Sequence, residues 1–227
     1  MGLIKGLKKS GITESTPKSL LLGAGTIYKN LHWDKEKLLW VGDIFGATSG
    51  GNSFKLVPNI VNVEIDGAVV DTMGLVQKQG ETAELSINLV EVNPGSLKLA
   101  MIGEEVKSEA EGFTKLATKS VIEDSDYIGN IAFVGFLADD TPIIIIMENA
   151  LCTSGLELSG KNKEATVIPA TFKPYAAFDV NTSQDKLPVY IYYPTPATDN
   201  AGSTEDSGST GGTTDNTGDS TEEEVEG

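Results

Sequence analysis

The chain has no arginine, one histidine, one cysteine and two tryptophans among its 227 residues. Arginine is the usual bidentate partner of phosphates and guanine edges. Here all 17 basic residues are Lys, and 33 acidic residues outnumber them. A protein that grips nucleic acid by neutralising its phosphates is therefore not expected. An acidic surface instead suits one that lets DNA pass without holding it. Cys152 stands alone, which rules out an intrachain disulfide, and its apolar setting in NALCTSG predicts a small buried side chain. His32 has no second histidine or cysteine pair with which to complete a zinc site. The longest apolar run, Ile143 to Met147, is far below the roughly 20 residues that span a bilayer. The N-terminal MGLIKGLKKSGITES lacks an apolar stretch of secretory length. No membrane association is expected, and the protein is expected to be made and used in the cytoplasm or in a particle assembled there.

Signatures of catalysis are missing too. There is no GxSxG elbow, and the glycines around Gly46 to Gly51 are not followed by the Lys-Ser/Thr pair of a phosphate-binding loop. The adjacent acids Asp139-Asp140 and Glu104-Glu105 read as solvated turn residues. The expectation is a protein that is not an enzyme and has no catalytic residue, cofactor or metal.

What is present divides the chain into three parts. Hydrophobic residues make up 39%, below the roughly 45–50% of a fully packed domain, so part of the chain is expected to lie outside the core. Thr195 to Gly227 has Val225 as its one large apolar side chain, no Lys, and nine of the sixteen net negative charges. Such a segment is expected to be a disordered acidic tail. Residues 1–18 are rich in Gly and Lys and end in Thr16-Pro17, which reads as an N-terminal arm. The folding unit is then 19–194.

Within it, a first strand is expected from Ser19 to Tyr28, with Gly23 and Gly25 allowing close approach of another backbone. Asp43 to Pro58 reads as a long glycine-rich loop or hairpin tip. Strict alternation predicts half-buried antiparallel strands over Ile60 to Val70, turning at Asp66-Gly67, and over Thr82 to Val92. Asn93-Pro94 opens a short helix that ends by Gly103, with Leu97, Ala100 and Met101 on one face. Strands follow at Asn130 to Leu137 and Pro142 to Leu151, joined by a turn at Asp139-Asp140-Thr141. Ile143 to Met147 is apolar on both faces and reads as a covered central strand. Further strands are expected at Ser154 to Ser159, Ala165 to Tyr175 and Val189 to Tyr192, while Glu104 to Asp126 gives no clear signal. The fold class is mainly β, an antiparallel sandwich or barrel with one short flanking α-helix.

The distinctive polar feature is a face formed by Asn62, Glu64, Glu84, Ser86 and Asn88, on strands whose other face looks like core. It is either an ordinary solvated face or the wall of a channel. Four runs then carry a resemblance: GAGTIYKNL at Gly23 to Leu31, GATSGGNSFKLVPNIVNVEIDGA at Gly46 to Ala68, ETAELSINLVEVNPGSLKLAM at Glu81 to Met101, and NALCTSGLELSGKNKEATVIPATF at Asn149 to Phe172. Together they resemble the major tail tube proteins of long-tailed bacteriophages, a fold similar to that of the type VI secretion tube protein. The resemblance implies a β-sandwich or barrel with a flanking helix and hexameric rings stacked into a hollow tube. DNA passes through that tube during genome ejection, and the other partners are tail proteins such as the tape measure, distal tail and terminator proteins. It also implies location in the virion tail. On that reading the five polar residues face an acidic lumen, while Ser49, Gly50, Gly51, Asn52, Ser53 and Phe54, with the N-terminal arm, contact a neighbouring ring. The alternative is a monomeric β-sandwich binding module presenting Trp33, Trp40, Tyr190, Tyr192 and Tyr193, with the acidic segment as an extension.

Overall fold

The computed structural model describes residues 10–160, 162–181 and 184–195. The expected tail beyond Thr195 and the first nine residues of the expected arm lie outside these. Residues 10–19 are mostly exposed and carry a hydrogen-bonded turn in which the Ser15 carbonyl accepts from the Lys18 and Ser19 amides.

Ten strands and one α-helix follow: β1 (Leu21–Asp34), β2 (Leu39–Ile44), β3 (Ser53–Asn62), β4 (Val76–Leu89), α1 (Pro94–Met101), β5 (Gly103–Val106), β6 (Lys115–Thr118), β7 (Ile128–Leu137), β8 (Pro142–Cys152), β9 (Ile168–Pro174) and β10 (Val189–Tyr192). All pairings are antiparallel. The main sheet runs β2-β1-β7-β8-β9-β4-β3, and β10 adds to β8. β8 pairs along one edge with β7 and divides the other, β10 taking Ile144–Met147 and β9 taking Ala150–Cys152. The sheet splits and curls there, as strongly twisted sheets do.

Curling encloses the main core. Ile27 of β1, Ile131 and Phe133 of β7, Met147 of β8, Phe172 of β9 and Leu85 and Ile87 of β4 are buried together, with Ala100 of α1 beside them. A second, smaller cluster lies on the opposite face: Leu31, Ala132, Val134, Ile144 and Ile146, with Tyr28 and Trp40 packed against it. β7 and β8 are thus apolar on both faces because both faces are covered, as expected of the run Ile143 to Met147.

The open end of the curl is crossed by residues 45–52. The Phe45 amide donates to the Ile27 carbonyl, the Ser49 amide to Asn88, and the Val90 amide to Ala47, so this stretch bridges β1 and β4. Phe45 meets Phe172 edge-on at 5.6 Å. The backbone of β1 is irregular beside β7. Gly23-Ala24-Gly25 bulge opposite Gly135, and Gly25 has φ 70° with the Phe133 ring so close that a Cβ would sit 2.3 Å from it. Only glycine fits such a position.

The helix is capped as its sequence predicts. The Asn93 side chain accepts from the Ser96 amide at 2.8 Å, the Ser96 hydroxyl accepts from the Asn93 amide, and Pro94 occupies the first turn. Two expectations fail. Ser154 to Ser159 is no strand, contributing only an isolated bridge from Ser159 to Val167. The strand expected over Ile60 to Val70 is shifted to Ser53–Asn62.

Candidate functional site

The shift of β3 reshapes the expected site. β4 pairs with β9 only over Leu85–Leu89, so from Lys78 outward its sole partner is β3, and β3 has no neighbour on its other side. The hairpin leaves the body as a two-stranded ribbon, continued by the loop 63–75. Its root is a bulge: Pro58 faces Glu81, Ile60 faces Lys78, and Gln79-Gly80 is the extra length. Glu81 anchors the root, accepting from Lys78 and from the Leu187 amide, which hold its carboxyl below the usual range despite partial burial.

The ribbon carries the side chains of a core without a core. Ile60 is 59% exposed, Val69 95% and Met73 98%, and Val61, Ile65 and Val76 are also open to solvent. A lone two-stranded ribbon is marginal in water, and contiguous exposed apolar surface marks an interaction site. The turn chemistry keeps the ribbon closed: the Val63 amide donates to Leu75, and the Asn62 side chain donates to the Asp71 carboxylate at 2.6 Å.

Of the five expected lumen residues, three share a face. Leu85, Ile87 and Leu89 point into the core, leaving Glu84, Ser86 and Asn88 half-buried on the other side. Ser86 shares a hydrogen bond with Thr171 at 3.1 Å, and Asn88 donates to the Gly51 carbonyl at 3.3 Å. Asn62 and Glu64 do not join them. Register sets Lys55 opposite Glu84, so Asn62, at an even-numbered position of β3, falls on the other face, and Glu64 lies in the tip loop. Nor is the face acidic. Glu84 pairs with Lys173 at 2.8 Å and stands opposite Lys55, so one carboxylate sits between two ammonium groups. The hydrogen bond from Lys173, then its charge, lowers the Glu84 pKa.

The residues of the expected inter-subunit loop also make contacts within the chain. Phe54 packs against the main core, and Ser53 and Phe54 begin β3. Asn52 donates to the Ala24 carbonyl at 2.9 Å and to the Thr48 hydroxyl, its own buried carbonyl oxygen unmatched. Gly50 and Gly51, with φ 82° and 88°, make the turn that lets Ser49 pair with Asn88. Ser49, Gly50, Gly51 and Asn52 therefore close the curled sheet. The ribbon, which the sequence presents as an ordinary half-buried strand, is instead an exposed apolar surface.

Among the described residues, no group of three or more His, Cys, Asp or Glu is placed to hold a metal, and no helix is long and apolar enough to cross a membrane. The buried Asp126 is matched by Lys119 at 2.7 Å and by the Glu123 amide. Burial alone would raise its pKa, and those partners hold it low instead. This cluster pins the segment after β6. No family model matches the chain, and no curated protein matches it.

Proposed function

We propose that the chain is a self-assembling structural subunit, and that its assembly is a bacteriophage tail tube: hexameric rings stacked into a hollow conduit for the viral genome. The observation that carries self-assembly is the apolar ribbon 56–79. Among the described residues it joins no core, although it is rich in aliphatic side chains. The free edge of β3 adds a row of unpaired backbone groups, which soluble monomers ordinarily blunt. Pro58 and Lys55 blunt it only in part. A second copy supplies both a hydrophobic cover and a pairing edge.

The tube form draws its support from the segments that resemble tail tube proteins and from the curled β-fold with one flanking helix. On this reading Glu84, Ser86 and Asn88, with Lys55 and Lys173, are the polar wall that meets passing DNA. Pairing with Glu84 offsets one of the two lysine charges on that wall, which limits its grip on phosphate. The tape measure, distal tail and terminator proteins are then its partners in the virion tail.

Negative-stain electron microscopy of the full chain at rising concentration tests the proposal. Rings or hollow tubes are expected in the wild type and not in a Val69→Asp/Met73→Asp variant. Wild-type protein that stays monomeric at every concentration contradicts it.

A further inference from the structure

We propose that the ribbon of one copy docks on the aromatic outer face of the next, with Trp33, Trp40, Tyr190 and Tyr192 as the receiving surface. The inference rests on the self-assembly reading and names the surface that covers the ribbon.

The outer face is the side of β2-β1-β7-β8-β10 turned away from the main core. Register places Tyr190 opposite Ile146, Tyr192 opposite Ile144 and Trp33 opposite Trp40, all on this side. On a flat sheet β2 and β10 would stand about 19 Å apart, four strand spacings of about 4.8 Å. Yet the Trp40 and Tyr192 rings meet at 4.9 Å, so this half of the sheet curls into a shallow trough with Trp40 across it. Trp40 roofs only the small cluster of Leu31, Ala132, Val134, Ile144 and Ile146. Around it Trp33, Tyr190 and Tyr192 remain 44–47% exposed. A sheet face of this composition is ordinarily covered by a second layer.

Chemistry selects the ribbon as that layer. Between Leu56 and Gln77 it offers aliphatic side chains and Met73, which suit aromatic neighbours. That stretch has no Lys and three acids, Glu64, Asp66 and Asp71. The β1–β2 hairpin beside Trp33 bears Lys29, Lys35 and Lys37 against Asp34, Glu36 and Asp43, so it carries no net charge to repel the ribbon's acids. The other exposed apolar patch on this face, Leu22 with Phe136, lies beside Asp139 and Asp140, whose sign repels the ribbon tip. Ribbon and trough are different surfaces at opposite ends of the strand path, so the contact is heterologous and propagates from copy to copy.

Both tryptophans of the chain lie on the receiving face, and intrinsic fluorescence therefore reads the contact directly. Full-length protein is followed by light scattering and by acrylamide quenching across a concentration series, beside the Val69→Asp/Met73→Asp variant. As scattering rises, tryptophan emission is expected to move to the blue and quenching to fall several-fold; the variant is expected to show neither. Mixing Met73→Cys copies with Tyr190→Cys copies locates the contact, since Cys152 is buried. A mixed disulfide dimer is expected under oxidation. Scattering that rises with quenching unchanged, or assemblies in which only like copies cross-link, overturns the docking assignment and leaves self-assembly standing. A wild type that never scatters overturns both.

Discussion

The two halves of β4 place similar residues in opposite circumstances. From Ala83 to Leu89 every second side chain is buried, Leu85 and Ile87 at 1% exposure. From Val76 to Gln79 every residue is exposed, as are the apolar partners Ile60 and Val61 on β3. The inner half has β9 on one side, β3 on the other, and a curled sheet beneath it. The outer half has β3 alone. Burial is therefore decided by what the topology brings alongside, and the apolar side chains of the outer half are covered by nothing among the described residues. A chain carries such a surface stably when something else covers it.

Breaking the inner half should do the most damage. Phe172→Ala removes a fully buried ring that meets Phe45 and packs beneath β4, and is expected to cost about 3–5 kcal/mol. Urea denaturation of the monomer reads this as a lower midpoint with an unchanged slope. The buried charge outside the sheet comes next. Asp126→Asn leaves Lys119 with the more exposed Glu123 as its remaining carboxylate and is expected to cost about 1–2 kcal/mol in the same measurement.

The ribbon should behave in the opposite sense. Val69→Asp with Met73→Asp changes side chains already in water, so monomer stability should move by no more than about 0.5 kcal/mol. Assembly, followed by sedimentation velocity, should nevertheless be lost. A variant that unfolds instead would show that these residues serve the monomer, erasing the contrast between the halves.

The smallest effect concerns the polar face of the inner half. Glu84 has its folded pKa lowered by the hydrogen bond from Lys173 and by that charge. Its contribution to stability is present above the unfolded carboxyl value near about 4.3 and is lost as pH falls through the lower folded value. Thermal midpoints of Glu84→Gln should fall less steeply than wild type below about pH 4, by a margin that salt reduces because the pair is half-exposed.

Much of the body was legible in the sequence because local and global signals agree there. β7 and β8 are apolar on both faces, and Asn93-Pro94 caps a helix that buries Ala100. β4 alternates cleanly where it has two neighbours. The misreadings have physical causes. Val61, Val63 and Ile65 alternate as a half-buried strand would, but pairing with β4 stops at Asn62, so the pattern outruns the partner. Ser53 to Pro58 was hidden by its lysine, its proline and the preceding glycines, although an edge strand tolerates all three. β5 and β6 are short, polar and paired only with each other. The polar face lost Asn62 because Lys55 pairs with Glu84, which puts the odd-numbered residues of β3 beside Glu84, Ser86 and Asn88 and the even-numbered ones on the core side, and it lost Glu64 because β3 ends at Asn62. The glycine-rich segment at Ser49 to Asn52 looked like a free loop because its partners, Ala24 and Asn88, are distant in the chain.

The central claim is that the outer half of the hairpin is covered by another copy. Hydrogen exchange on the full chain, below and above the assembly concentration, tests it directly by comparing amides 56–79 with amides 83–89. Assembly is expected to slow exchange in the ribbon on the order of 100-fold while leaving the inner half of β4, already protected in the monomer, nearly unchanged. Equal exchange of the ribbon in both states would contradict the account.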